Sequence, residues 1–233
     1  IRLGLVGSEM CIRDSPKVIA DTLSFELNSC RQWLMDNKLS LHLGKTESIL
    51  FGSKRKLKKV TSFEVKCNNE VIQNVNSVKY LGLQIDNDLA GDNIVKGITK
   101  KANSRLKFLY RHKDMLSFNC KKTLCSALIQ CHFDYACSSW YPGIRKELTK
   151  KLQVMQNKII RFISDLDNRA HIGNQELAKA GYLSVPDRVK QLKLGHVFKI
   201  RNGTSPYYMN AHFQKLNEID NRIVTRATAY NFY

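Results

Sequence analysis

Apolar residues first fall into register at Ile19. Ile19, Leu23, Leu27, Cys30 and Leu34 recur at i, i+4, i+8, i+11 and i+15, the period of a helix with one buried face. Ser15 is a good N-cap and Pro16 a good first helical residue, so the pattern predicts a helix from Pro16 to about Asp36. The period then shortens. Leu39, Leu41 and Leu43 alternate with polar residues, as in a half-buried strand, and SILF continues in extended style. FEVKC and EVI flank Asn68-Asn69, which tolerates the positive φ of a two-residue hairpin turn. VKYLGLQID predicts a further strand.

From Ile94 the helical period returns, with Ile94, Ile98, Ala102, Leu106 and Leu109 in one stripe. A second helix is expected to carry Leu124, Leu128, Cys131 and Tyr135, and a third Leu148, Leu152, Met155, Ile159 and Phe162. A looser connection follows around Asp165 to Gly173. A fourth helix is predicted from near Pro186 to just before Asn202-Gly203, a suitable C-cap. The tail RIVTRATAYNFY predicts no element. These elements give an α+β chain of 233 residues, enough for one good core or two small ones.

Charge adds a partner. Lys and Arg number 38 against 20 Asp and Glu, a net +18, which favours a polyanion, and nucleic acid above all. Residues 91 to 165 hold 15 Lys and Arg against 5 Asp and Glu, net +10, more than half of the excess. On the Ile94 helix, Lys96, Lys100, Lys107 and Arg111 form a basic ridge suited to a phosphate backbone. KRKLKK at 54 to 59 reads either as a solvated basic loop or as a phosphate contact. No apolar run approaches the roughly 20 residues of a membrane span, so no membrane partner is expected. Seven cysteines without a CxxC fit a reduced intracellular setting, nuclear or cytoplasmic rather than secreted.

Candidate chemistry is sparse. Gly44-Lys45-Thr46 lacks the first glycine of a phosphate-binding loop, since Leu39 stands there. Asp21 in IADT is a lone acid on a predicted helix. Asp86 and Asp88 share a strand face but sit at a strand exit, where Asp and Asn favour turns. Four cysteines between 120 and 137 flank His132. On one helix, Cys120 and Cys131 would face together while Cys125 and Cys137 point elsewhere, so core packing is expected rather than a zinc site. Neither catalytic residues nor metal ligands are assigned.

Taken in order and spacing, WLMDNKLSLHLGKTESILF, SVKYLGLQIDNDL, SRLKFLYR, ALIQCHFDYACSSWY and LQVMQNKIIRFI resemble the C-terminal half of non-LTR retrotransposon reverse transcriptases, the Jockey and CR1-like kind. The resemblance runs from about Pro16 to the end. It implies the end of a palm at 15–90, a helical thumb at 91–165 and a helical C-terminal extension at 166–233. LSLHLGKT resembles a palm strand, with Lys45 and Thr46 matching and His42 where asparagine is usual. Tyr80, Leu81 and Gly82 resemble the hairpin that grips the primer end, where a small residue lets backbone approach nucleic acid. The implied partners are an RNA template and its DNA primer, together with upstream palm, fingers and endonuclease parts of the parent polyprotein.

In that family a YADD segment supplies aspartates for two metal ions. It would fall just before Pro16, where IRLGLVGSEMCIRD stands instead; LVGSEMCIRDS resembles translated sequencing-adapter text, and 1–14 is read as a non-native leader. The fragment is therefore expected to bind primer and template without a cofactor of its own, Mg²⁺ belonging to the full-length RNA-directed DNA polymerase, and to be inactive alone. The alternative is a non-catalytic basic nucleic-acid-binding protein, an expressed relic or a host-adopted piece.

Overall fold

The computed structural model describes residues 15–212; the predicted leader and the RIVTRATAYNFY tail lie outside them. It is an α+β chain of helices and small sheets, and it divides into two compact units. One runs to Lys100 and takes in Gly143–Leu148; the other holds Lys101–Pro142 and the chain from Thr149.

The first unit opens with α1, Pro16–Asp36, started as predicted: the Ser15 hydroxyl accepts from the Val18 N–H, with Pro16 in the first turn. The helix is laced to a hairpin of β2, Lys66–Cys67, and β3, Glu70–Val71. Ser24 Oγ accepts from Lys66 N at 2.8 Å and Asn28 Oδ1 from Asn68 N at 2.9 Å. Asn68 and Asn69 hold φ of 50° and 67°, the double positive φ such a tight turn requires. Ala20, Phe63, Val65, Cys67 and Ile72 form the core beneath. Burying each larger apolar side chain contributes about 1.5–3 kcal/mol.

Several expectations are corrected here. LSLHL is not a strand. Leu41 and Leu43 turn toward the core but Leu39 is exposed, and the chain tightens into a single 3₁₀ turn at Leu43–Lys45, with Lys45 N bonded to His42 O. SILF contributes only Ser48, in β1, Glu47–Ser48, which pairs parallel to β4, Gln73–Asn74. KRKLKK is not a loop: Ser53 caps a four-residue helix α2, Lys54–Leu57. VKYLGLQID is not one strand, because Leu81 and Gly82, at φ 45° and 84°, fold it into a hairpin of β5, Ser77–Tyr80, and β6, Leu83–Asp86.

Helix α3, Asp92–Tyr110, buries the predicted stripe from Ile94 to Leu109, and α7, Lys146–Ile163, buries Leu148, Leu152, Met155, Ile159 and Phe162 as predicted. In the second unit the second helical stripe is misplaced. Leu128, Cys131 and Tyr135 are exposed, and the buried positions are Lys121, Cys125, Ile129, Phe133 and Cys137. A strict four-residue step drifts around an α-helix of 3.6 residues per turn. The chain offsets that drift with a π-turn, Ser126–Gln130, between α4, Phe118–Cys125, and α5, Cys131–Asp134. Arg105 donates to Leu128 O within this turn at 2.5 Å and also contacts His132 Nε2.

Next come α6, Cys137–Trp140, then α8, Asn174–Ala180, which the sequence reading did not anticipate, and α9, Val185–Arg201. The last matches the predicted fourth helix, with Asn202 at its C-cap and Gly203 at φ 67°. Cys125 and Cys137 are buried, as expected of packed thiols, and desolvation pushes the Cys125 thiol up to about 12. Cys120 and Cys131 are exposed, so the expected core packing does not hold for them.

Candidate nucleic-acid interface

The aspartates that opened the question of catalysis are committed to local structure. Helix α3 begins after Gly91, which has no side chain to cap it. The Asp86 carboxylate does so instead, accepting from Asn93 N at 3.0 Å and Asn93 Nδ2 at 2.5 Å. Gly91 itself is required: φ is 76°, and a Cβ there would lie 2.6 Å from Ile144 Cγ2. Asp88 accepts from Ala90 N and pairs with Lys54 at 3.1 Å. The Ala90 N–H and the Lys54 ammonium together hold its carboxyl below the usual range, against a smaller opposing effect of burial. Asp21 is exposed on α1. Among the described residues no three His, Cys, Asp or Glu side chains converge as metal ligands. These carboxylates do not fit a two-ion polymerase site, and no chemical step is assigned to them.

The β5–β6 hairpin ends in Tyr80, Leu81 and Gly82, all exposed, with Leu81 at 72 %. An apolar residue at positive φ costs about 1–2 kcal/mol relative to glycine, and here it stands in water at a hairpin tip. Lys45 is exposed, whereas Thr46 turns back to donate to His42 O. Lys54 of α2 is taken by Asp88, so the basic stretch at 54 to 59 is structural at its first residue.

The ridge residues are all exposed, Lys96 and Lys100 in the first unit, Lys107 and Arg111 in the second. Among the described residues none of the four has a carboxylate partner. Other cations do: Lys113 and the buried Lys121 both reach Asp165, at 3.2 and 2.7 Å. Most of the described cations lack a carboxylate partner, so what singles out a face is how its cations are arranged rather than the absence of a partner.

Within the second unit one such face is concave. A cleft of about 510 Å³ lies between α3 and the end of α7, lined by Lys107, Tyr110, Lys158, Arg161 and the amides of Asn103 and Asn168 over Leu106. Arg161 Nε is fixed by Ala170 O at 2.9 Å. The Tyr110 ring stands edge-to-face on Phe162, centroids 4.8 Å apart. Burial raises the phenol's pKa, opposed by Lys113 and Arg161. No carboxylate lines the cleft.

The sequence reading found Lys107 but missed Lys158, Arg161, Tyr110 and both asparagines. Lys158 and Arg161 stand three apart on α7, which places them on one face. Nothing in the sequence says that this face meets the Lys107 side of α3. No family model, curated protein or solved structure matches the chain.

Proposed function

We propose that this chain is the nucleic-acid-holding part of a non-LTR retrotransposon reverse transcriptase, engaging template and primer through phosphate contacts while the catalytic carboxylates belong to another part of the polymerase. The observation that carries the reading is the set of cations without carboxylate partners, exposed Lys107 and Lys158 with half-buried Arg161 around one cleft, and Lys96, Lys100 and Arg111 at further exposed positions. Free ammonium and guanidinium groups release counterions from a phosphate backbone, which is where sequence-independent affinity arises. The β5–β6 tip supports the same reading. A strained backbone presenting Tyr80 and Leu81 to solvent contributes little to stability, and such strain gathers at functional sites.

A non-catalytic nucleic-acid-binding protein is the second reading, favoured by the commitment of Asp86 and Asp88 to capping and turn formation. Primer extension by the purified chain with Mg²⁺ and deoxynucleotides would contradict both readings.

Changing Lys96, Lys100, Lys107 and Arg111 together to Ala tests the phosphate contacts. The plot of log affinity against log salt should become shallower by roughly one for each cation that meets a phosphate, with the fold retained because all four side chains are exposed. An unchanged slope would sink the assignment.

A further inference from the structure

The cleft between α3 and the end of α7 holds more than charge. A surface that only tracks phosphates needs cations alone, and an amide oxygen near a phosphate is of no use to it. Asn103 and Asn168 nevertheless line this cleft, each with a donor and an acceptor that no other described side chain takes up. Tyr110 adds an aromatic ring held in place by Phe162. Cations, paired donor–acceptor amides and a braced ring are what a whole nucleotide asks for: its phosphate, its base edge and its base face.

Size selects which nucleic acid can use them. A volume of about 510 Å³ is that of a small-ligand site. It admits a nucleotide, whereas a double helix can only rest on the rim. In a duplex the base faces are stacked on one another and out of reach of Tyr110, so an aromatic wall serves only an unstacked base.

We infer that this cleft takes an unpaired nucleotide of a single strand, with Lys107, Lys158 and Arg161 on its phosphates, Tyr110 against its base, and Asn103 and Asn168 at the base edge or sugar. The inference rests on nucleic acid being the partner and narrows that partner, at this cleft, to a single strand of RNA or DNA.

The test uses the full chain with fluorescein-labelled oligo(U), oligo(dT) and a blunt-ended two-strand duplex without unpaired nucleotides, matched in phosphate number, read by anisotropy at about 150 mM salt. At least one of the two single strands should bind about tenfold more tightly than the duplex, and comparison of the ribose and deoxyribose series identifies which strand is preferred. Tyr110→Leu, which keeps an apolar contact on Phe162, should lower single-strand affinity about tenfold and leave duplex binding unchanged. Asn168→Ala, in the loop after α7, should lower it severalfold without disturbing the Tyr110–Phe162 contact. If single strands and duplex bind alike and neither substitution matters, the single-strand cleft is wrong while phosphate binding stands. If nothing binds, the nucleic-acid reading beneath it falls as well.

Discussion

Asp165 stands just beyond the end of α7 at φ 53°, a left-handed position that Asp and Asn tolerate better than other side chains. It receives the ammonium of Lys121, whose side chain is only 4 % exposed and lies 5.8 Å from the Phe162 ring centre. That hydrogen bond is the main reason the Asp165 carboxyl titrates below its ordinary 3.8, with Lys113 assisting and burial opposing. A carboxylate whose pKa is lowered by folding stabilises the protein fully above its unfolded value and loses that contribution as pH falls through the folded one. Asp165→Asn keeps the backbone preference and removes the charge from a buried lysine. Because Asp165 is half exposed, the cost at neutral pH should be about 1–2 kcal/mol, less than for a fully buried pair. Urea unfolding should show the gap closing below about pH 4; a gap constant from pH 7 to pH 3 would contradict the pairing. Such residue-scale detail was only partly legible in the sequence. Asn68-Asn69 announces its turn because the preference is local, and Asp88 does so for the same reason. Asp86 does not, because its role as the cap of α3 depends on the N–H of Asn93, seven residues later, in a helix whose preceding Gly91 has no side chain to cap it.

Elements were legible where one period runs unbroken. The stripes of α3 and α7 follow from spacing alone, whereas in α1 only part of the stripe holds: Ile19 and Leu27 pack against the core, but Leu23 is exposed and Ala20 is the buried residue. Ser15, Pro16 and Asn202 mark ends by capping chemistry. Periodicity fails where the geometry changes within a segment. Counting 3.6 residues per turn through Ser126–Gln130 selects Leu128, Cys131 and Tyr135, whereas the π-turn carries Ile129 and Phe133 inward. Leu39, Leu41 and Leu43 show a different failure: Leu41 and Leu43 face the core as the alternation predicts, but Leu39 is exposed and no strand among the described residues pairs with the segment. The π-turn gives a direct check at this scale. Ile129 is fully buried and Leu128 is 37 % exposed. Ile129→Ala should cost about 2–5 kcal/mol by chemical denaturation, and Leu128→Ala no more than about 0.5 kcal/mol. Equal costs would mean that the register of this helix is wrong.

Across the whole molecule the most legible property was charge. A net +18 predicts a polyanionic partner without predicting where it binds, because a count of lysines cannot distinguish those paired with Asp165 or Asp88 from those left free. The structure makes that distinction, and the cleft it exposes depends on α3 and α7 lying side by side, which no local pattern records. No helix among the described residues is long and apolar enough to cross a membrane. The most direct test of the account is the affinity of the full chain for an RNA–DNA hybrid bearing a single-stranded overhang, measured as salt rises from about 50 to 200 mM. With about four phosphates neutralised, affinity should fall on the order of a hundredfold across that range. Absence of binding, or affinity that does not change with salt, would contradict the claim that this protein holds nucleic acid by its backbone.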